Sequence, residues 1–219
     1  LELSKFYLEH QEELDAEDWL LEAKKIATHN DQIACLHQEV RVKIALGENQ
    51  QAWNAAWRSF EHRPSYSEYQ YLLTVYEELG QPEPALLNKV EQILQSAPRL
   101  QNELLQFYLE QNQLEKAKVC VSAGAGSRTQ ILQLANLYIA DQPAETLAFY
   151  LPVVKGLIEQ TSASSYEQAT QLLLHLQAQL KANQHPLNDF NSSVAQLATE
   201  FRRKRNMLAL LNTHFADCL

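Results

Sequence analysis

Metal binding, acid–base work and nucleophilic attack all need reactive side chains held close together. Few such groupings occur in this chain. Cys35-Leu36-His37 is the closest pairing of metal-ligating types. A structural zinc site takes four Cys or His ligands, usually in close pairs. Residues two apart on a helix point to different sides, so Cys35 and His37 do not chelate together. The remaining histidines, His10, His29, His62, His175, His185 and His214, are scattered. The acidic pairs Glu12-Glu13, Glu17-Asp18 and Glu77-Glu78 would serve acid–base chemistry only if they flanked a substrate in a cleft. On helices they read as solvated faces. Gly124-Ala125-Gly126-Ser127 precedes a helix, where an anion could bind. It lacks a following Lys and a preceding strand, so it reads as a hinge. No HExxH, no Gly-Lys-Ser/Thr phosphate loop and no GxGxxG is present. No acid, base, nucleophile and anion site can be assembled, and the chain is expected to be non-enzymatic, with no metal or cofactor.

Two groupings suit binding better. Trp53, Trp57, Phe60, Tyr66, Tyr69, Tyr71 and Tyr76 form a dense aromatic stretch. Trp53 and Trp57 are four apart and share a helix face. Trp and Tyr are enriched in peptide-binding hot spots, although core packing between adjacent units is the use such a group more often serves. Tyr71, beside the core position Leu72, is the member expected to be exposed. The second grouping is Arg202, Arg203, Lys204 and Arg205. On one continuous helix, at about 100° per residue, Phe190, Val194, Leu197, Phe201, Leu208 and Leu211 form a stripe. Lys204 and Arg205 then flank that stripe, while Arg202 and Arg203 point away. The flanking pair would pack and cap, laying apolar stems on the core. All four together would suit an acidic partner or phosphate.

The elements that must position these residues are helical. Leu occurs 36 times and Ala 25 times, against 9 Val and 7 Ile. That balance favours helices over strands. The 219 residues carry a net charge of −9, and the acidic excess lies in the first half. An acidic surface disfavours broad nucleic-acid binding, which rests on Lys and Arg neutralising phosphates. Three widely spaced cysteines, Cys35, Cys120 and Cys218, do not form a disulfide framework. A reducing, cytoplasmic setting is expected. No apolar run reaches the about 18 residues of a membrane span, and the acidic first residues are unlike a signal peptide. Leu1 at the start and Met207 as the single methionine suggest a segment of a longer chain.

Apolar spacing predicts twelve helices. The first holds Leu3, Phe6, Tyr7 and Leu14. The second, capped by Asp15, buries Trp19, Leu20, Ala23 and Ile26. The third, capped by Asp31, carries Ile33, Leu36, Val40 and Ile44 and ends at Gly47. The fourth spans about 49–62, the fifth stops at Gly80, and the sixth enters through Pro82-Glu83-Pro84. Pro98, Ser127 and Pro143 open later helices, and Pro152 should kink the tenth. Tyr166 to Leu180 form the eleventh. Phe190 to Leu211 form the twelfth, unbroken.

The breaks recur. Gly47 and Gly80 are 33 residues apart, as are Ala52 and Ala85, and Ala117 lies 32 beyond Ala85. A helix pair at this period resembles the tetratricopeptide class, whose repeat is about 34 residues, although its aromatic and proline consensus is missing in most units. Each amphipathic pair buries its apolar face only by stacking on the next. The expected fold is all-α, a right-handed α-α superhelix of stacked hairpins. It forms a single domain over 1–219 with a possible sub-boundary near 123–127. An irregular helical bundle with accidental spacing is the alternative.

Tyr166-Glu167-Gln168-Ala169, Leu172-Leu173-Leu174, Phe190 to Val194, Phe201-Arg202-Arg203-Lys204-Arg205-Asn206-Met207 and Leu210-Leu211 together resemble the C-terminal end of bacterial proteins that carry a SWIM-type zinc finger. The resemblance is most specific over residues 166 to 212. The finger, a Cys-x-Cys followed by Cys-x-His, is absent: Cys35 and His37 supply only its second half. Its metal and nucleic-acid roles therefore pass to no residue here. The resemblance implies the helical C-terminal portion of such a protein. The expected function is a scaffold that binds a protein or peptide segment, or another domain of the parent chain. Trp53, Trp57, Tyr71 and the basic run are the candidate contacts. A nucleic-acid accessory module using Arg202 to Arg205 is the alternative.

Overall fold

The Leu- and Ala-rich sequence folds into helices joined by short turns. The computed structural model describes residues 1–80 and 85–219, and among these there are thirteen α-helices and no strand. The chain divides into two compact units, Leu1–Phe107 and Tyr108–Leu219. The Pro82-Glu83-Pro84 entry lies outside the described residues.

In the first unit, α1 (Glu2–Glu9), α2 (Glu13–Ile26), α3 (Gln32–Ala45), α4 (Asn49–His62) and α5 (Tyr66–Leu79) pack in chain order, each on the next. α6 (Leu86–Gln95) and the start of α7 (Gln101–Glu110) complete it. Gly47 and Gly80 stop α3 and α5 in the left-handed conformation, with φ of 74° and 60°, where a Cβ is disfavoured. Ser65 opens α5 by accepting the Glu68 N–H.

Most of the predicted stripe residues on the first two helices are not buried. α1 ends at Glu9, so Leu14 belongs to α2 and Asp15 lies inside its first turn rather than capping it. Leu3, Phe6, Leu14, Trp19 and Ile26 are all exposed, Ile26 at 85%. Leu20 alone of these two stripes is fully buried, and the rest of that core comes from Ser4, Ala16 and, on α3, Val42. The small side chains Ser4 and Ala16 let the helices approach closely. The Ser4 hydroxyl donates to the Ala16 carbonyl at 2.7 Å and accepts from Gln38 Nε2 at 3.1 Å. Close backbone approach and satisfied polar groups here outweigh the burial of the larger apolar residues.

In the second unit, α8 (Leu114–Ser122), α9 (Arg128–Tyr138), α10 (Pro143–Glu159) and α11 (Ala163–Ala182) again pack in chain order. Gly124-Ala125-Gly126 links α8 to α9 inside this unit. Ser127 caps α9 by accepting the Gln130 N–H, and Ser162 caps α11 in the same way through Ser165. α10 continues as one helix through Pro152. Leu147, Tyr150, Val154 and Ile158 on α10 and Ala169, Leu173, Leu176 and Leu180 on α11 are buried, as their spacing predicts, while Leu151, expected in the α10 stripe, is only half-buried.

The expected twelfth helix is two helices. α12 (Asn188–Glu200) ends at a turn over residues 201–204, and α13 (Arg205–His214) follows. The turn resets the helical phase. Met207 and Leu211 become fully buried, and Leu208 stays only half-buried. α13 packs against α11, a position a straight continuation of α12 would not give it.

Candidate functional site

The aromatic stretch of the first unit separates into different roles. Trp53 is buried, edge-on to Trp57 with centroids 5.8 Å apart and near Tyr76 at 6.0 Å. It is a packing residue. Trp57 is half-buried, and Lys89 Nζ lies 5.5 Å above its ring. With Asn54, Glu61, Gln92 and Ile93 it lines a surface cavity of about 490 Å³.

Tyr71 is not the exposed residue expected. Its ring stacks on His37 with centroids 3.9 Å apart, and its hydroxyl donates to the His37 carbonyl at 3.4 Å. Burial and the nearby Glu68 carboxylate push its phenol up to about 12. Position 71 adjoins the core residue Leu72 in sequence, but α3 covers it in space.

His37 itself is half-buried, not exposed, because it reaches the buried carboxylate of Glu68. Glu68 accepts from Ser59 Oγ at 2.6 Å, His37 Nε2 at 2.8 Å and Arg63 Nη2 at 3.1 Å. Burial alone would raise the Glu68 carboxyl. The hydrogen bonds from Ser59 and His37 outweigh it and hold the group below its ordinary value. Ser, His and Glu are the residue types of a hydrolytic triad, but the order is wrong. The serine donates to the carboxylate rather than to the histidine, and it is fully buried. A nucleophile must donate to the base and meet a substrate. The cluster therefore ties α3, α4 and α5 together.

The four basic residues are placed by the turn after α12. Arg203, Lys204 and Arg205 line one open cavity of about 490 Å³ with Asn206, Thr161 and Tyr166. Arg202 is exposed but does not line it. The helical reading paired Lys204 with Arg205 and set Arg203 apart with Arg202. The turn brings Arg203 to the other two. The nearest acid in sequence, Glu200, is taken up by Lys155 of α10 at 2.6 Å.

A groove in the second unit was missed by the sequence reading. Val121 and Ser122 of α8, Arg128 and Ile131 of α9, and Ala148, Phe149, Pro152, Val153, Gly156 and Gln160 of α10 enclose about 540 Å³. Its wall is mostly apolar. Pro152 has no N–H, so the Ala148 carbonyl lacks its helical donor. Gly156 leaves open space where a Cβ would sit. The sequence signal available was the pair Pro152 and Gly156 on one face of a helix, four residues apart.

Among the described residues no group of Cys, His, Asp and Glu is arranged to hold a metal ion. Cys35 and Cys120 are buried free thiols, and burial pushes both up from their ordinary value. Among the described residues no helix is long and apolar enough to cross a membrane. In comparison with known proteins, no family model, no curated protein and no solved structure matches this chain.

Proposed function

We propose that this all-α chain is a non-catalytic helical-repeat scaffold, its helix pairs stacking as tetratricopeptide-like hairpins, that binds a protein segment. The observation that carries this reading is the groove between α8, α9 and α10. Among the described residues Arg128 is the one charged residue lining it, and its guanidinium has no ion-pair partner there, donating instead to Gln168 Oε1 at 3.2 Å. An apolar channel of this size with a single uncompensated cation fits a short segment bearing apolar side chains and one carboxylate. The chain-order packing of helices within each unit supports the repeat architecture, because stacking is how such pairs bury their faces. The candidate contacts of the first unit reduce to Trp57, since Trp53 is buried and Tyr71 is held against His37.

The test is selection from a random peptide library on the full chain, followed by affinity measurement. The expected peptides carry an acidic residue among apolar ones. Their affinity should fall at least about tenfold with Gly156→Phe, which fills the groove, and with Arg128→Glu, which reverses its charge. Failure to enrich any sequence, or selected peptides that bind both variants unchanged, would overturn the reading.

A further inference from the structure

We propose that Arg203, Lys204 and Arg205, with Asn206 and Thr161, form a binding site for a small phosphate-bearing ligand, distinct from the peptide groove. Three side chains of one sign open into a single cavity, and among the described residues no carboxylate pairs with any of them. Adjacent like charges repel, and the arrangement is relieved when an anion sits between them. In a protein of net charge −9 this uncompensated cluster stands out. Its composition suits an oxyanion. Arg offers planar, bidentate donors to phosphate oxygens, Lys a compact charge, and Asn206 and Thr161 neutral hydrogen bonds. α13 begins here without a side-chain cap, so the dipoles of its first N–H groups add to the field of the cations.

The extent of the patch selects among phosphate ligands. The three cations sit on consecutive residues, and Arg202, the fourth of the run, falls outside the cavity. Such a cluster neutralises one or two phosphates, whereas a nucleic-acid track needs cations spread along a surface. A cavity of about 490 Å³ is of the size that takes a nucleotide- or pyrophosphate-sized molecule. The ligand class is therefore a phosphomonoester or polyphosphate rather than a nucleic-acid backbone.

The experiment titrates the full chain with sodium pyrophosphate at about 50 mM salt by calorimetry, with a single-stranded oligonucleotide in a parallel arm. Single-site pyrophosphate binding is expected. It should weaken at least about tenfold in the Arg203→Ala, Arg205→Ala double variant and stay within about twofold in Arg202→Ala. In the unaltered protein, the backbone amide signals of Thr161 and Asn206 should shift on adding pyrophosphate, a readout that depends on no variant folding. The absence of both heat and shifts at millimolar pyrophosphate would overturn the proposal, as would equal losses in Arg202→Ala and the double variant. An oligonucleotide binding far more tightly than pyrophosphate, with a salt dependence exceeding three released ions, would overturn it in favour of a nucleic-acid contact.

Discussion

The His37 imidazole meets the Glu68 carboxylate at 2.8 Å, joining two helices whose residues lie 31 apart in sequence. With Ser59 and Arg63 it makes Glu68 the most highly bonded buried acid described in the first unit. Removing this carboxylate leaves the Ser59 hydroxyl and the His37 N–H without an acceptor. Glu68→Ala is expected to cost about 3 kcal/mol in denaturant unfolding at neutral pH. Glu68→Gln, which keeps the shape and one acceptor, should cost less.

The same carboxyl sets an acid dependence. Its folded value lies below the ordinary 4.5, so its stabilisation is complete above that value and is lost as pH falls through the folded one. Glu39 behaves likewise. Burial would raise it, but the ion pairs with Lys24 and Arg58, each at 2.9 Å, hold it low. Unfolding free energy measured between neutral pH and strong acid should fall below about pH 4.5. Glu68→Gln should flatten part of that fall, and an unchanged slope would count against the cluster.

The turn over 201–204 predicts which side chains matter after it. Met207→Ala should cost about 2–4 kcal/mol, because Met207 is fully buried. Leu208→Ala should cost less than about 1 kcal/mol. A continuous helix would reverse the order, so paired denaturation curves distinguish the two.

Gly156 lies inside α10 without a left-handed backbone, and nothing stands within 4 Å of a Cβ added there. Gly156→Ala is expected to stabilise by about 0.5–1 kcal/mol through helix propensity alone. A rise in thermal midpoint of about 2–4 °C per kcal/mol is the readout. Combined with loss of peptide affinity in Gly156→Phe, a stable Gly156→Ala protein separates groove blockage from unfolding.

Of the nine tyrosines, Tyr71 and Tyr138 are pushed up to about 12, in both cases chiefly by burial. Alkaline difference spectroscopy should therefore show a high-pH phase that shrinks in Tyr71→Phe, Tyr138→Phe protein, Tyr150, also raised by burial, supplying what remains. Because the folded values lie above the unfolded ones, these groups stabilise the fold below about pH 10, and that contribution is lost as pH rises towards 12.

The segments that can be read from sequence are those where local chemistry and packing agree. Gly47 and Gly80 stop helices because only a residue without a Cβ adopts their backbone readily. Ser127 caps α9, and the α10 and α11 stripes are buried at the spacing of their apolar residues. Reading fails where a partner helix overrides the spacing. Trp19 and Ile26 follow a plausible stripe yet stay exposed, because Ser4 and Ala16 set which face of α1 and α2 approaches α3. Tyr71 sits under His37 for the same kind of reason.

By itself, then, the amino-acid order determined that the chain is helical, roughly where most of its helices start and stop, and that four cations follow one another at 202–205. These depend on backbone propensity, capping and apolar period, which act within one or two turns. Only the tertiary structure decided that three of those cations share a cavity and that Pro152 and Gly156 open a groove. It also decided that Glu68 is tied to His37. Those facts join residues far apart in sequence, and their geometry depends on how each helix is rotated against its neighbours.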